Sequence, residues 1–152
     1  MFKKILFPVD FSDVSAKIVP VVREMAARFD ASVYVLFVAR VFEHLGSIYV
    51  PHPSIKTIQA ELAEGAQRKL GEFLAQHFQG VAVEGRVVSG DPAEEILKYA
   101  DSQGIDLIVM GTHGRKGFER IVFGSVAERV VKGAVVPVMT VNPYGEKARS
   151  GR

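Results

Sequence analysis

A three-layer α/β sandwich around a five-stranded parallel sheet is the fold the sequence predicts, and three observations predict it. Five short apolar stretches, "KILFPVD", "SVYVLFVA", "VAVEGRVVS", "IDLIVMG" and "VVPVMTV", are spread along the chain. Between them the apolar residues recur every three or four positions, the spacing of one helical face. The second stretch is apolar throughout, as expected of a strand covered by helices on both faces, and each parallel crossover needs such a helix.

Taken in order, "KILFPVD" is a buried strand that empties into a loop at Pro8 and Asp10. Ser12 is placed to cap a helix whose inner face is Ile18, Val21, Val22, Met25, Ala26 and Phe29. Pro20 falls inside it and should kink it, because the ring removes a donor and crowds the preceding turn. After the second strand, residues 40–53 show no sustained period and read as a connection. Ser54 is placed to cap the next helix, with Ile55, Ile58, Leu62, Leu70, Phe73 and Leu74 facing inward and an end near His77. "GDPAEEIL" is a helix start: Asp91 as cap, Pro92 in the first turn, Glu94 placed to close a capping box, and a stop expected at Gly104. A last helix runs from about Gly124 to Lys132 and leads to the fifth strand.

The chain has 152 residues, 48% of them hydrophobic, which suits one core. A single domain is expected over residues 1–143, with 144–152 as a flexible tail. Nineteen Lys and Arg against seventeen Asp and Glu leave a net charge of +2, too small to imply a nucleic-acid or polybasic membrane surface. With no cysteine, disulfides, thiol catalysis and thiolate metal sites are excluded, and a reducing, cytoplasmic setting is compatible. The two N-terminal lysines are followed by an apolar run cut at Pro8, too early for a signal peptide. The longest apolar run, Val33 to Ala39, is far short of the ~20 residues of a spanning helix. His44, His52 and His77 have no metal spacing, and Glu94-Glu95 is explained by the helix dipole.

The stretch "GTHGRKGFERIVFGS" follows the fourth strand, where sheets of this kind bind ligands. Its glycines let the backbone come close to a ligand, and the helix start at Gly124-Ser125 offers unpaired N–H groups to an anion. A Walker signature is absent, and no G-x-G-x-x-G follows the first strand. The spacing that does fit is Gly111-x2-Gly114-x9-Gly124-Ser125.

On that spacing, and on "KKILFPVDFSD", "GDPAEEILKYA" and "DLIVMGTHGRKG…GSVAERVV", the chain closely resembles the universal stress protein family, in its ATP-binding branch. The resemblance implies a Rossmann-like fold of the adenine nucleotide alpha hydrolase type, strand order 3-2-1-4-5, and a homodimer. It also implies roles: Pro8, Val9 and Asp10 at the adenosine end, Val38 against adenine, Met110 closing the base pocket, and Asp10 near the ribose or, indirectly, Mg. Gly111, Thr112, His113, Gly114, Arg115, Lys116 and Gly117 would wrap the phosphates, with Gly124, Ser125, Val126 and Ala127 completing the cradle. The implied cofactor is ATP with Mg, or AMP or ADP.

The function expected is a nucleotide-dependent stress-response or regulatory protein acting through an unidentified protein partner. At most it is a weak ATPase, since no Walker lysine and no evident base to orient water are visible. The alternative is a dimeric interaction module of the same fold whose loop serves packing. Pairing of the dimer through the last strand is expected from its apolar edge.

Overall fold

The computed structural model describes residues 1–40, 53–112 and 124–145, with the side chains of 53–56 left aside. The sheet is built from β1 (Lys4–Val9), β2 (Ser32–Ala39), β3 (Val83–Ser89), β4 (Leu107–Gly111) and β5 (Val138–Val141). All pairings are parallel and the order is β3-β2-β1-β4-β5. Four helices connect them: α1 (Asp13–Phe29), α2 (Pro53–His77), α3 (Pro92–Ser102) and α4 (Ser125–Gly133).

Alternation along the central strands sends side chains into two cores. Ile5, Phe7 and Val9 of β1 join Val33, Val35, Leu107 and Val109 beneath α1 and α2. Leu6, Leu36, Ile108 and Met110 point the other way, onto Ala93, Ile96 and Tyr99 of α3 and Ala127 and Val130 of α4. Each fully buried Leu, Ile or Phe contributes about 1.5–3 kcal/mol, so both layers hold the sheet firmly. The N-terminal end of the sheet is closed by Asp106, whose carboxylate accepts from the Lys3 and Lys4 N–H groups at 2.8 and 3.1 Å.

Several local expectations change. Helix α1 runs from Asp13 to Phe29 with Pro20 inside it, on the exposed face. Helix α2 begins at Pro53, so Ser54 lies inside it rather than ahead of it. Leu70 and Phe73 are buried as expected, but Ile58 and Leu62 are 54% and 56% exposed. The whole run from Thr57 to Glu64 is exposed, and no described residue buries it. Helix α3 stops at Ser102, and Gly104 takes φ +64°, the left-handed conformation glycine allows cheaply. Strands β3, β4 and β5 begin two or three residues later than their apolar stretches; Val135, ahead of β5, is 94% exposed.

Candidate functional site

The chain leaves β1 toward β2 and β3 on one side, then returns to β4 on the other. The connections of β1 and β4 therefore diverge at their carboxyl ends, the position where α/β sheets open a crevice. Its two walls are built differently.

On the β4 side, Gly111 ends the strand and Thr112 is buried. The Thr112 N–H donates to the Val141 carbonyl at 3.0 Å, and its own carbonyl accepts from the Gly124 N–H at 2.8 Å. One residue thus ties the end of β4 to β5 and to the start of α4. Space at Gly124 is tight: a Cβ on it would lie 3.3 Å from the Thr112 oxygen. The first helical bond of α4 runs from the Glu128 N–H to the Gly124 carbonyl at 3.0 Å, and no side chain caps the helix. The N–H groups of Ser125, Val126 and Ala127 consequently have no acceptor among the described residues, and these three donors stand at the positive end of the helix dipole. The N–H of Gly124, the first residue of the expected cradle, donates to Thr112.

On the β1 side, Asp10 is held by the turn it begins. Its Oδ1 accepts from the Ser12 N–H at 2.9 Å, from the Ser12 hydroxyl, and from the Ser15 hydroxyl at 3.0 Å. Its N–H donates to Ser15 Oγ at 3.1 Å. Ser12 occupies the N-cap position of α1 as expected, but its hydroxyl serves Asp10 instead of the helix. Asp10 Oδ2 accepts nothing among the described residues. Phe11 follows with φ +62°, a strained conformation for a bulky residue, and stacks on Phe37 with ring centroids 4.5 Å apart.

Between these walls, Val38 and Val126 pack against the same core as Met110 and Ala127. Pro8 shares that face by strand alternation and is half-buried. Val9 does not: its side chain is in the α1/α2 core, so only its main chain is available to the crevice. His113, Gly114, Arg115, Lys116 and Gly117 lie outside the described residues.

Sequence reading missed one pair. Asp91 caps α3 through Oδ2, accepting from the Glu94 N–H at 3.0 Å, and Oδ1 accepts from Arg129 Nη1 of α4 at 2.9 Å. The Arg129 hydrogen bond, and secondarily the one from Glu94, holds the Asp91 carboxyl below its usual value. The Glu94 side chain does not close a capping box but pairs with Lys98 at 3.2 Å. A residue separation of 38 leaves no periodic signal from which the Asp91–Arg129 pair is readable. Among the described residues no group of three His, Asp or Glu side chains is arranged to hold a metal ion, and no helix is long and apolar enough to cross a membrane.

The model of the universal stress protein family matches residues 1–142. The chain belongs to this family. It is 40% identical over 143 residues to universal stress protein MJ0531 of Methanocaldococcus jannaschii, covering 93% of this chain and 82% of that one. Universal stress protein MJ0577 of the same organism is 32% identical over 155 residues, with 93% and 95% covered. The solved structure of MJ0577 superposes with a TM-score of 0.80 at 31% identity, over 93% of this chain and 96% of that one. A universal stress protein from Archaeoglobus fulgidus, solved in complex with dAMP, shares the fold at a TM-score of 0.61 and 22% identity, with 93% and 98% covered.

Proposed function

We propose that this universal stress protein binds an adenine nucleotide, ATP with Mg²⁺ and its mono- and diphosphate relatives, in the crevice between β1 and β4. The observation that carries the reading is the open first turn of α4. Three main-chain donors there stand without acceptors among the described residues, beside an apolar wall of Pro8, Val38 and Met110 on the same face of the sheet. Phosphate suits the donors and a purine suits the wall. The Archaeoglobus fulgidus complex supports the capacity of the fold for such a ligand.

Asp10 fits a role at the ribose or toward Mg²⁺ with one oxygen only, since Oδ1 is occupied by its own turn. The metal would arrive on the phosphates and neutralise their charge, while the chain holds the nucleotide through main-chain donors. Turnover is slow or absent: no described residue supplies a lysine to the phosphates or a base to a water. The nucleotide state is then a signal for a protein partner in the cytoplasm.

The protein acts as a homodimer joined through β5. That strand carries no charged residue and stands at the edge of the sheet, where unpaired main-chain groups favour addition of a second strand. Val138→Pro should convert a dimer to a monomer by light scattering; a dimer that persists places the contact elsewhere.

The deciding experiment is calorimetric titration of nucleotide-free protein with Mg²⁺-ATP, AMP, adenosine and Mg²⁺-GTP. Saturable binding of ATP stronger than of adenosine, with GTP weaker, is expected. A folded protein that takes none of the four at millimolar concentration would leave the glycines an architectural role and make the interaction module the reading to pursue.

A further inference from the structure

Among the described residues five ion pairs form, and four of them are local, each joining residues three or four apart on its own helix, α1, α3 or α4. The fifth, Asp91–Arg129, joins two helices. Asp91 is itself fixed to the sheet, because the preceding Gly90 N–H donates to the Ala39 carbonyl at 2.9 Å. A chain of contacts therefore runs from the end of β2, next to Val38, through Gly90 and Asp91 to Arg129. Arg129 sits one helical turn beyond Ser125, on the same side of α4.

Helix α4 needs such an anchor. It has nine residues, too few to keep its axis without tertiary contacts, and buries only Ala127 and Val130. With Val126 half-buried against the same core, apolar contacts fix its distance from the sheet more strictly than its position along it. The Thr112–Gly124 hydrogen bond pins its first residue from one side, and the Arg129 side chain pins its second turn from the other.

We propose that Asp91 and Arg129 form a positioning clamp, which sets the separation between the wall at the end of β2 and the anion-binding first turn of α4. Its ligand consequence rests on the nucleotide reading above. Neither residue touches the ligand; both act by placing the donors of Ser125, Val126 and Ala127.

Asp91→Asn tests the clamp without removing the cap, since Asn caps a helix as well as Asp does. Arg129→Gln removes the other partner, Arg129→Lys keeps the charge, and the Asn/Gln double variant completes a cycle. Two quantities are measured: affinities for Mg²⁺-ATP and for adenosine by calorimetry, and amide hydrogen exchange of residues 125–133 in nucleotide-free protein. The expected result is ATP binding weakened about two- to fivefold in each single variant, the size an exposed pair supports. Adenosine binding stays unchanged, the double variant is no worse than either single, Arg129→Lys restores most of the affinity, and α4 amides exchange faster while those of α1 do not.

Equal loss of ATP and adenosine would reduce the pair to general stabilisation and overturn the proposal. So would tighter ATP binding in Asp91→Asn, which would make Arg129 a ligand cation set free, and so would unchanged exchange in α4. If the wild type binds no nucleotide while α4 still exchanges faster in the variants, the clamp stands and the nucleotide reading falls.

Discussion

Helices α3 and α4 pack on the same face of the sheet and start at the same end of it, yet their first turns are finished in opposite ways. Helix α3 brings its own anion: Asp91 accepts from the Glu94 N–H, Pro92 removes one donor, and Glu94 and Glu95 add negative charge. Helix α4 starts at a glycine with no capping side chain, and its first turn holds three donors without acceptors. Cost decides what the difference means. An unmet donor is expensive in a dry site and cheap where water or a ligand can reach it, so the fold keeps the open end for the crevice.

The largest break in that contrast is Gly124→Val. A branched side chain meets the Thr112 carbonyl and forces the start of α4 away from β4. A stability loss of about 1–3 kcal/mol and loss of measurable Mg²⁺-ATP binding are expected from denaturant unfolding and calorimetry. Gly124→Ala should cost much less, since a lone Cβ at 3.3 Å needs only a small shift.

Next comes Ser125→Asp, which adds an acid at the start of α4, whose first turn otherwise holds only Glu128 at its far end. The carboxylate suits the helix dipole and competes with a phosphate for the same donors, so thermal stability should hold or rise while ATP affinity falls by roughly tenfold. An unchanged affinity would mean that anions do not bind at this helix start.

The reverse experiment removes the anion of α3. Asp91→Ala loses both cap and clamp and should lower Tm by about 3 °C, whereas Asp91→Asn keeps the cap and should lose less. Equal losses would show that the cap contributes nothing beyond the ion pair.

The smallest effect is the pH dependence of the same carboxylate. The Arg129 hydrogen bond depresses the folded-state value of Asp91 below that of the unfolded chain. Its stabilisation is therefore complete above the ordinary aspartate value of about 3.9 and is lost as pH falls through the lower folded value. The difference in denaturant midpoint between wild type and Asp91→Asn should shrink from pH 5 toward pH 2. A difference that grows on acidification would reverse the assigned direction.

Legibility in the sequence follows the range of the interaction. The Asp91-Pro92 start of α3 and the Gly104 stop were readable because capping and chain reversal act within four residues. The Gly124-Ser125 helix start was readable for the same reason. The N-cap position of Ser12 was readable, but the partner of its hydroxyl was not: with two candidates beside it, the hydroxyl goes to the charged one, Asp10, and spacing does not tell which is in reach. Ile58 and Leu62 satisfy the helical period as well as Leu70 does, but the period carries no information on where the sheet stops covering the helix.

By itself, then, the sequence determined the number and type of elements, the parallel sheet that alternating strands and helices impose, and the start of α4 at Gly124-Ser125. All of these rest on forces between near neighbours along the chain. The tertiary structure alone decided that Val9 turns from the crevice, that the Gly124 N–H is spent on Thr112, and that Asp91 finds Arg129 38 residues away. Those outcomes depend on which surfaces the packed sheet brings together, and burial and long-range hydrogen bonding are set by the whole fold.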